Sequence, residues 1–245
     1  MKYLFLHVPK TAGTSLRKAL EAKFSKEEVT TCYGKEQIQE KLSNALKQRK
    51  HLIYGHINFK CLNNVGGYNE YFLLAFLRHP VQWTISTYIH LLNSNNINQR
   101  KEAEAMGGFE GFLTSKFGNN WQCRFMSGID QQTKAIIPSD ELFAAAINNF
   151  EKLDWVGVAE RYKESLISLK HFMGLRKIPY VRTNLSRDTT LKKRLEQEFS
   201  QEILHRNQRD LELWKFANQR LDEQLKSVPF APLKKVQYSL FRIFG

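Results

Sequence analysis

Short apolar runs alternate along this chain with segments whose apolar residues recur at helical spacing, and that alternation restricts the fold more than any other feature. The runs are Tyr3–Val8, His51–Tyr54, Phe72–Leu77 and Asp154–Val158. Between and after them, helix-like spacing covers Thr14–Phe24, Lys35–Gln48, Pro80 to about Leu92, Phe109–Phe117, Trp121–Ser127, Ser139–Phe150, Glu160–Met173, Leu191–Leu204 and Gln208–Leu225. Runs that are apolar throughout, with no alternation, belong to strands covered on both faces. Strands separated by helices predict an α/β fold, with a parallel sheet flanked by helices on both faces. In such folds ligands bind at the carboxyl ends of the strands. The residues that follow each run are therefore the ones to read for chemistry.

After the first run comes Pro9-Lys10-Thr11-Ala12-Gly13-Thr14-Ser15, then a helix. Free amides and the helix dipole at such a turn favour an anion. Thr11, Thr14 and Ser15 add hydroxyls, Gly13 permits close approach, and Lys10 adds charge. Thr and Ser also cap helices, but one Lys, three hydroxyls and a Gly in six residues exceed what a cap needs. The pattern differs from G-x-x-x-x-G-K-[ST], because the Lys precedes the Gly and no strand ends in a metal-holding Asp. It suits a phosphate handled without a metal. A second anion site follows the Phe72–Leu77 run. Arg78 stands at the strand end, and Ser86 lies about two turns into the next helix. Between the two sites, His56 directly follows the His51–Tyr54 run. Its imidazole could take a proton from an attacking hydroxyl, or simply fill a polar pocket.

Here a family resemblance begins. The segment His7–Ser15 resembles the 5′-phosphosulfate loop of the sulfotransferases that include the uronyl and heparan sulfate 2-O-sulfotransferases. The segment Arg78 to Tyr88 resembles their 3′-phosphate motif R-x-P-x-x-R-x-x-S-x-Y, with Trp83 at the position of the second Arg. Gly55-His56-Ile57-Asn58-Phe59 resembles G-H-x-x-F, with Tyr54 where those 2-O-sulfotransferases carry another His. Asn120–Gly128, Trp155–Tyr162, Asn184–Ser186, Asn207 and Asp210 continue the likeness, which covers about residues 1–225. It implies a P-loop-like sulfotransferase fold and 3′-phosphoadenosine 5′-phosphosulfate (PAPS) as donor, with adenosine 3′,5′-bisphosphate as product and no metal. By match, Lys10 meets the bridging oxygen of the leaving phosphate, and Thr11, Gly13, Thr14 and Ser15 hold the 5′-phosphate. Arg78 and Ser86 hold the 3′-phosphate, and His56 is the base.

Bulk properties narrow the alternatives. The 245 residues, 42% of them hydrophobic, suit one domain, expected over 1–228. No apolar run approaches the roughly 18 residues of a membrane span. The N-terminal run lacks a cleavage pattern, so a cytoplasmic chain is expected. Cys32, Cys61 and Cys123 are expected to be reduced thiols. The net charge of +13 calls for an anionic partner. A nucleotide kinase would require the missing metal ligands, and a non-catalytic binder of nucleic acid or anionic polymer would not explain two paired loops. The acceptor is a hydroxyl whose carrier is open, with an acidic glycan favoured by charge. Residues 93–108 are polar and glycine-ended. They read as a loop, either a gate over the acceptor site or plain solvent-facing chain. In the tail 229–245, Leu233, Val236, Leu240 and Phe244 form an apolar stripe with Lys234, Lys235 and Arg242 opposite. Docking on the protein's own core is the expected use, and contact with a membrane surface or lipid-linked acceptor the alternative.

Overall fold

A computed structural model describes residues 1–21, 23–34, 37–129, 139–179 and 189–229. Five strands form one sheet: β1 (Lys2–Leu6), β2 (Val29–Cys32), β3 (Leu52–Gly55), β4 (Tyr71–Leu77) and β5 (Trp155–Val158). Their order is β2-β3-β1-β4-β5 and every pairing is parallel. The helices are α1 (Gly13–Glu21), α2 (Ile38–Lys47), α3 (Phe59–Val65), α4 (Pro80–Leu92), α5 (Ile97–Ala105), α6 (Gly108–Thr114), α7 (Trp121–Ser127), α8 (Ser139–Phe150), α9 (Tyr162–Phe172), α10 (Thr189–Arg206) and α11 (Gln208–Lys226).

Side-chain alternation along the strands divides the core into two layers. Leu4, Leu6, Ile53, Leu73, Ala75 and Val156 face α2, α3, α7, α8 and α11. Tyr3, Phe5, Leu52, Tyr54, Leu74, Phe76 and Trp155 face α1 and α9. The predicted α/β architecture, a parallel sheet with helices on both faces, is the one observed. A third cluster, with Ile85, Phe112, Leu195 and Ile203 at its centre, joins α4, α5, α6 and α10 beside the sheet. Among the described residues, no helix is long and apolar enough to cross a membrane.

Three elements depart from the sequence reading. The edge strand β2, Val-Thr-Thr-Cys, carries two polar residues and was not read as a strand. It is held by pairing to β3 alone. The short helix α3 starts at Asn58, whose side chain accepts the Cys61 N–H at 3.0 Å. The segment 93–108 is not a loop. It contains α5, capped by Asn96, whose side chain accepts from the Asn98 N–H at 2.9 Å. Of the residues in α5, only Ala103 is buried. The helix therefore lacks the apolar stripe that marks helices in a sequence, and this is why the segment read as a loop. The tail 230–245 and the segment Asn184–Ser186 lie outside the described residues.

Candidate active site

Register brings the chemical residues together. Leu6 of β1 stands opposite Gly55 of β3 and Ala75 of β4. The chain emerging from β1 thus has His56 on one side and Arg78 on the other. The loop between β1 and α1, expected to hold a phosphate, curls tightly. Lys10 and Ala12 both take left-handed backbone conformations, with φ of 63° and 69°. These are costly for residues with a Cβ and are kept at functional turns. Among the described residues, the N–H groups of Lys10 to Thr14 have no backbone acceptor, so the loop offers amides to an anion at the start of α1. Gly13 and Ser15 are buried and Thr14 is half-buried. Thr11 is fully buried, and its hydroxyl donates to the Val8 carbonyl at 2.7 Å. Its proton is thus engaged within the loop, and its amide is the donor it can offer a ligand.

Arg78 ties the second site to the first. Its guanidinium Nη1 donates to the Lys10 carbonyl at 2.9 Å. Its backbone is gripped by the Gln122 side chain, which accepts the Arg78 N–H at 2.9 Å and donates to the Arg78 carbonyl at 2.7 Å. The Glu160 carboxylate stands 3.6 Å from Arg78 Nε and accepts the His79 N–H and the Trp214 indole N–H, each at 3.2 Å. Burial, then the charge of Arg78, lowers the pKa of Lys10. Burial likewise lowers that of Arg78, with Glu160 opposing. Two desolvated cations converging on one loop are a site for an anion. Trp83, at the position of the motif's second Arg, is buried. Its indole donates to the Pro9 carbonyl at 2.8 Å and stacks on Trp121 with ring centroids 4.8 Å apart. A structural tie to the phosphate loop thus stands where a charge was expected. Ser86 is half-buried one turn beyond Trp83 on α4, which by helical spacing turns it toward the same loop.

His56 follows β3 and lies in a cluster of rings. Its ring is 4.7 Å from that of Tyr33, edge-on, and 5.2 Å from that of His7. Desolvation by surrounding protein lowers its pKa to about 4, although the residue is exposed at the surface. The imidazole is therefore neutral at physiological pH, in the form that accepts a proton. His7 is buried, and its Nδ1 is 2.6 Å from the Tyr33 hydroxyl oxygen. Burial first, then the charges of His56, Arg17 and Lys10, holds its pKa down to about 3.

The predicted residues Lys10, Thr11, Gly13, Thr14, Ser15, Arg78, Ser86 and His56 thus follow three neighbouring strand ends. Four others carry no role in the sequence reading: His7, Tyr33, Gln122 and Glu160. Tyr33 follows the unread edge strand. His7 was counted as the end of a strand, and Gln122 and Glu160 act from elements far along the chain. Among the described residues, no group of three or more His, Cys, Asp or Glu side chains is arranged to hold a metal ion. A search of curated proteins finds no match to the chain. A family model described as the sulfotransferase family matches residues 1–217. With the phosphate loop at the end of β1, the tied arginine at the end of β4 and a match over most of its length, the chain belongs to the sulfotransferase family.

Proposed function

We propose that the protein transfers a sulfuryl group from PAPS to the hydroxyl of an acceptor, with adenosine 3′,5′-bisphosphate as the second product. The observation that carries this reading is the bond from the Arg78 guanidinium to the Lys10 carbonyl. It joins two anion sites on adjacent strand ends, as a nucleotide phosphorylated at both the 3′ and 5′ positions requires. The residues present suit that ligand: a loop of open amides, two half-buried cations and the hydroxyls of Thr14, Ser15 and Ser86. PAPS supplies an activated sulfuryl group whose S–O bond to phosphate is the one that breaks.

Lys10 stabilises the charge that grows on the leaving phosphate oxygen. The amides of Thr11, Gly13 and Thr14, with the hydroxyls of Thr14 and Ser15, hold the 5′-phosphate. Arg78 and Ser86 hold the 3′-phosphate. Neutral His56 takes the acceptor's proton as its oxygen forms the new bond to sulfur. Positioning and charge stabilisation supply most of the catalysis, as in phosphoryl transfer. The +13 charge favours an acidic acceptor such as a uronate-bearing glycan.

Titration with adenosine 3′,5′-bisphosphate and with adenosine 5′-phosphate tests the assignment. Arg78→Ala should weaken the bisphosphate by about 10-fold or more, the worth of a charged hydrogen bond, and barely affect the monophosphate. Equal loss for both would remove Arg78 from the 3′ site. Labelled PAPS offered with a panel of hydroxyl acceptors then identifies the substrate. His56→Ala should cut that turnover by about 10²–10⁴-fold with nucleotide affinity kept.

A further inference from the structure

Between the phosphate loop and His56 lies a side chain to which this reaction scheme gives no part. His7 leaves β1 with its backbone N–H donated to the Gly55 carbonyl at 2.8 Å, which sets it beside His56. Its ring covers Gly13, the first residue of α1. A Cβ added there would lie 1.9 Å from His7 Cδ2 and 2.0 Å from Nε2. The Nε2 edge of the imidazole therefore rests on the N-terminus of α1, where the anion is proposed to bind. The other nitrogen, Nδ1, is occupied by the Tyr33 hydroxyl at 2.6 Å. With Nδ1 engaged by Tyr33, Nε2 is the ring nitrogen on the Gly13 side.

The tautomer follows from the surroundings. Lys10, Arg17 and His56 all disfavour a proton that would make the buried ring a cation. Arg17 also acts electrostatically on the Tyr33 phenol, so the phenol oxygen turns its lone pairs to the guanidinium and its proton to His7. A neutral imidazole that accepts at Nδ1 carries its own proton at Nε2. We propose that His7 is a further catalytic residue, whose Nε2–H donates a hydrogen bond to an oxygen of the sulfuryl group while that group passes from the phosphate loop toward the acceptor beside His56. The donor is neutral and held by Tyr33, so it stabilises the sulfuryl oxygens without repelling Lys10 or competing with His56 for the acceptor's proton. Because Gly13 has no side chain, the ring can reach this position.

This proposal rests on the PAPS reading, and the experiment separates the two. PAPS and adenosine 3′,5′-bisphosphate differ by the sulfuryl group alone, so their affinities are compared in the wild type, His7→Asn and His7→Gln. Glutamine carries an amide N–H near the imidazole Nε2 position, and asparagine near Nδ1. His7→Asn should weaken PAPS by about 10-fold, the upper range for one uncharged hydrogen bond, and leave the bisphosphate within about twofold. His7→Gln should recover most of the loss. Tyr33→Phe, which frees the tautomer, should weaken PAPS selectively but less. Nitrogen-15 NMR of the imidazole should show the Nε2–H tautomer in the wild type before any ligand is added. Equal weakening of both nucleotides would make His7 a packing residue of the loop and overturn the proposal. So would unchanged affinity for both in His7→Asn, or an Nδ1–H signature. A wild-type chain that binds neither nucleotide would sink the PAPS reading, and this proposal with it, before any variant is made.

Discussion

At Gly13 an alanine methyl would overlap the His7 ring, which is buried and tied to Tyr33 at Nδ1, so the ring or the loop must shift. Gly13→Ala should therefore cost about 1–3 kcal/mol of stability and weaken adenosine 3′,5′-bisphosphate as well. Thermal melts with and without the nucleotide would measure both, and a melting point equal to wild type would show that the ring moves freely. His7 also sets a pH dependence. Its pKa is near 3 when folded against an ordinary value of 6.5. Between these values the unfolded chain binds the proton more readily, so stability is full above pH 6.5 and falls as pH drops. By pH 4.5 this histidine alone removes about 3 kcal/mol. Asp210, with its pKa raised to about 6 by burial, acts in the opposite sense, losing stability as pH rises through about 6. The check is thus a comparison: His7→Gln should flatten the acid loss of stability relative to wild type, and parallel curves would refute it. The residues proposed to bind the anion could be singled out because Lys10, Gly13 and Arg78 belong to local patterns that follow recognisable strands. The His7–Tyr33 pair was not, because a hydrogen bond between residues on separate strand ends leaves no spacing in the chain.

Helix α7 is positioned from outside itself. The buried Asp210 carboxylate accepts the Gln122 N–H at 3.0 Å and the Cys123 N–H at 2.7 Å, closing the first turn. Asn207 accepts the Asn120 N–H at 2.7 Å, and Asn120 in turn accepts the Asp210 N–H at 3.0 Å. This lock aims Gln122 at the Arg78 backbone. Asp210→Ala should then cost about 2–4 kcal/mol through orphaned amides and a lost cap. It should also weaken the bisphosphate, although Asp210 has no contact with Arg78. Chemical denaturation and nucleotide titration check the two effects, and lost stability with intact affinity would break the link. Of the elements, the long helices and the four apolar strands could be read from period alone. The edge strand β2 could not, because Thr30 and Thr31 reach no core and β3 is its sole neighbour. Nor could α5, which is held by its Asn96 cap and by packing against α4, not by an apolar stripe of its own.

Across the molecule, the order β2-β3-β1-β4-β5 puts the first strand in the centre. Parallel neighbours are necessarily distant in sequence, and the lock on α7 spans 88 residues from Gln122 to Asp210. Such non-local contacts slow folding, because loop closure precedes the contacts that reward it. During synthesis, the β1–α1 loop leaves the ribosome before Arg78, yet the grip on Arg78 awaits Gln122, and Gln122 awaits α11. A nascent chain halted before Asp210 would already contain every residue proposed to touch PAPS and still present Arg78 on an unheld backbone. On the proposed function, nucleotide affinity should then be gained late, near the completion of α11, so the nucleotide would have little to bind on a half-made chain and could not draw it early into a partial fold.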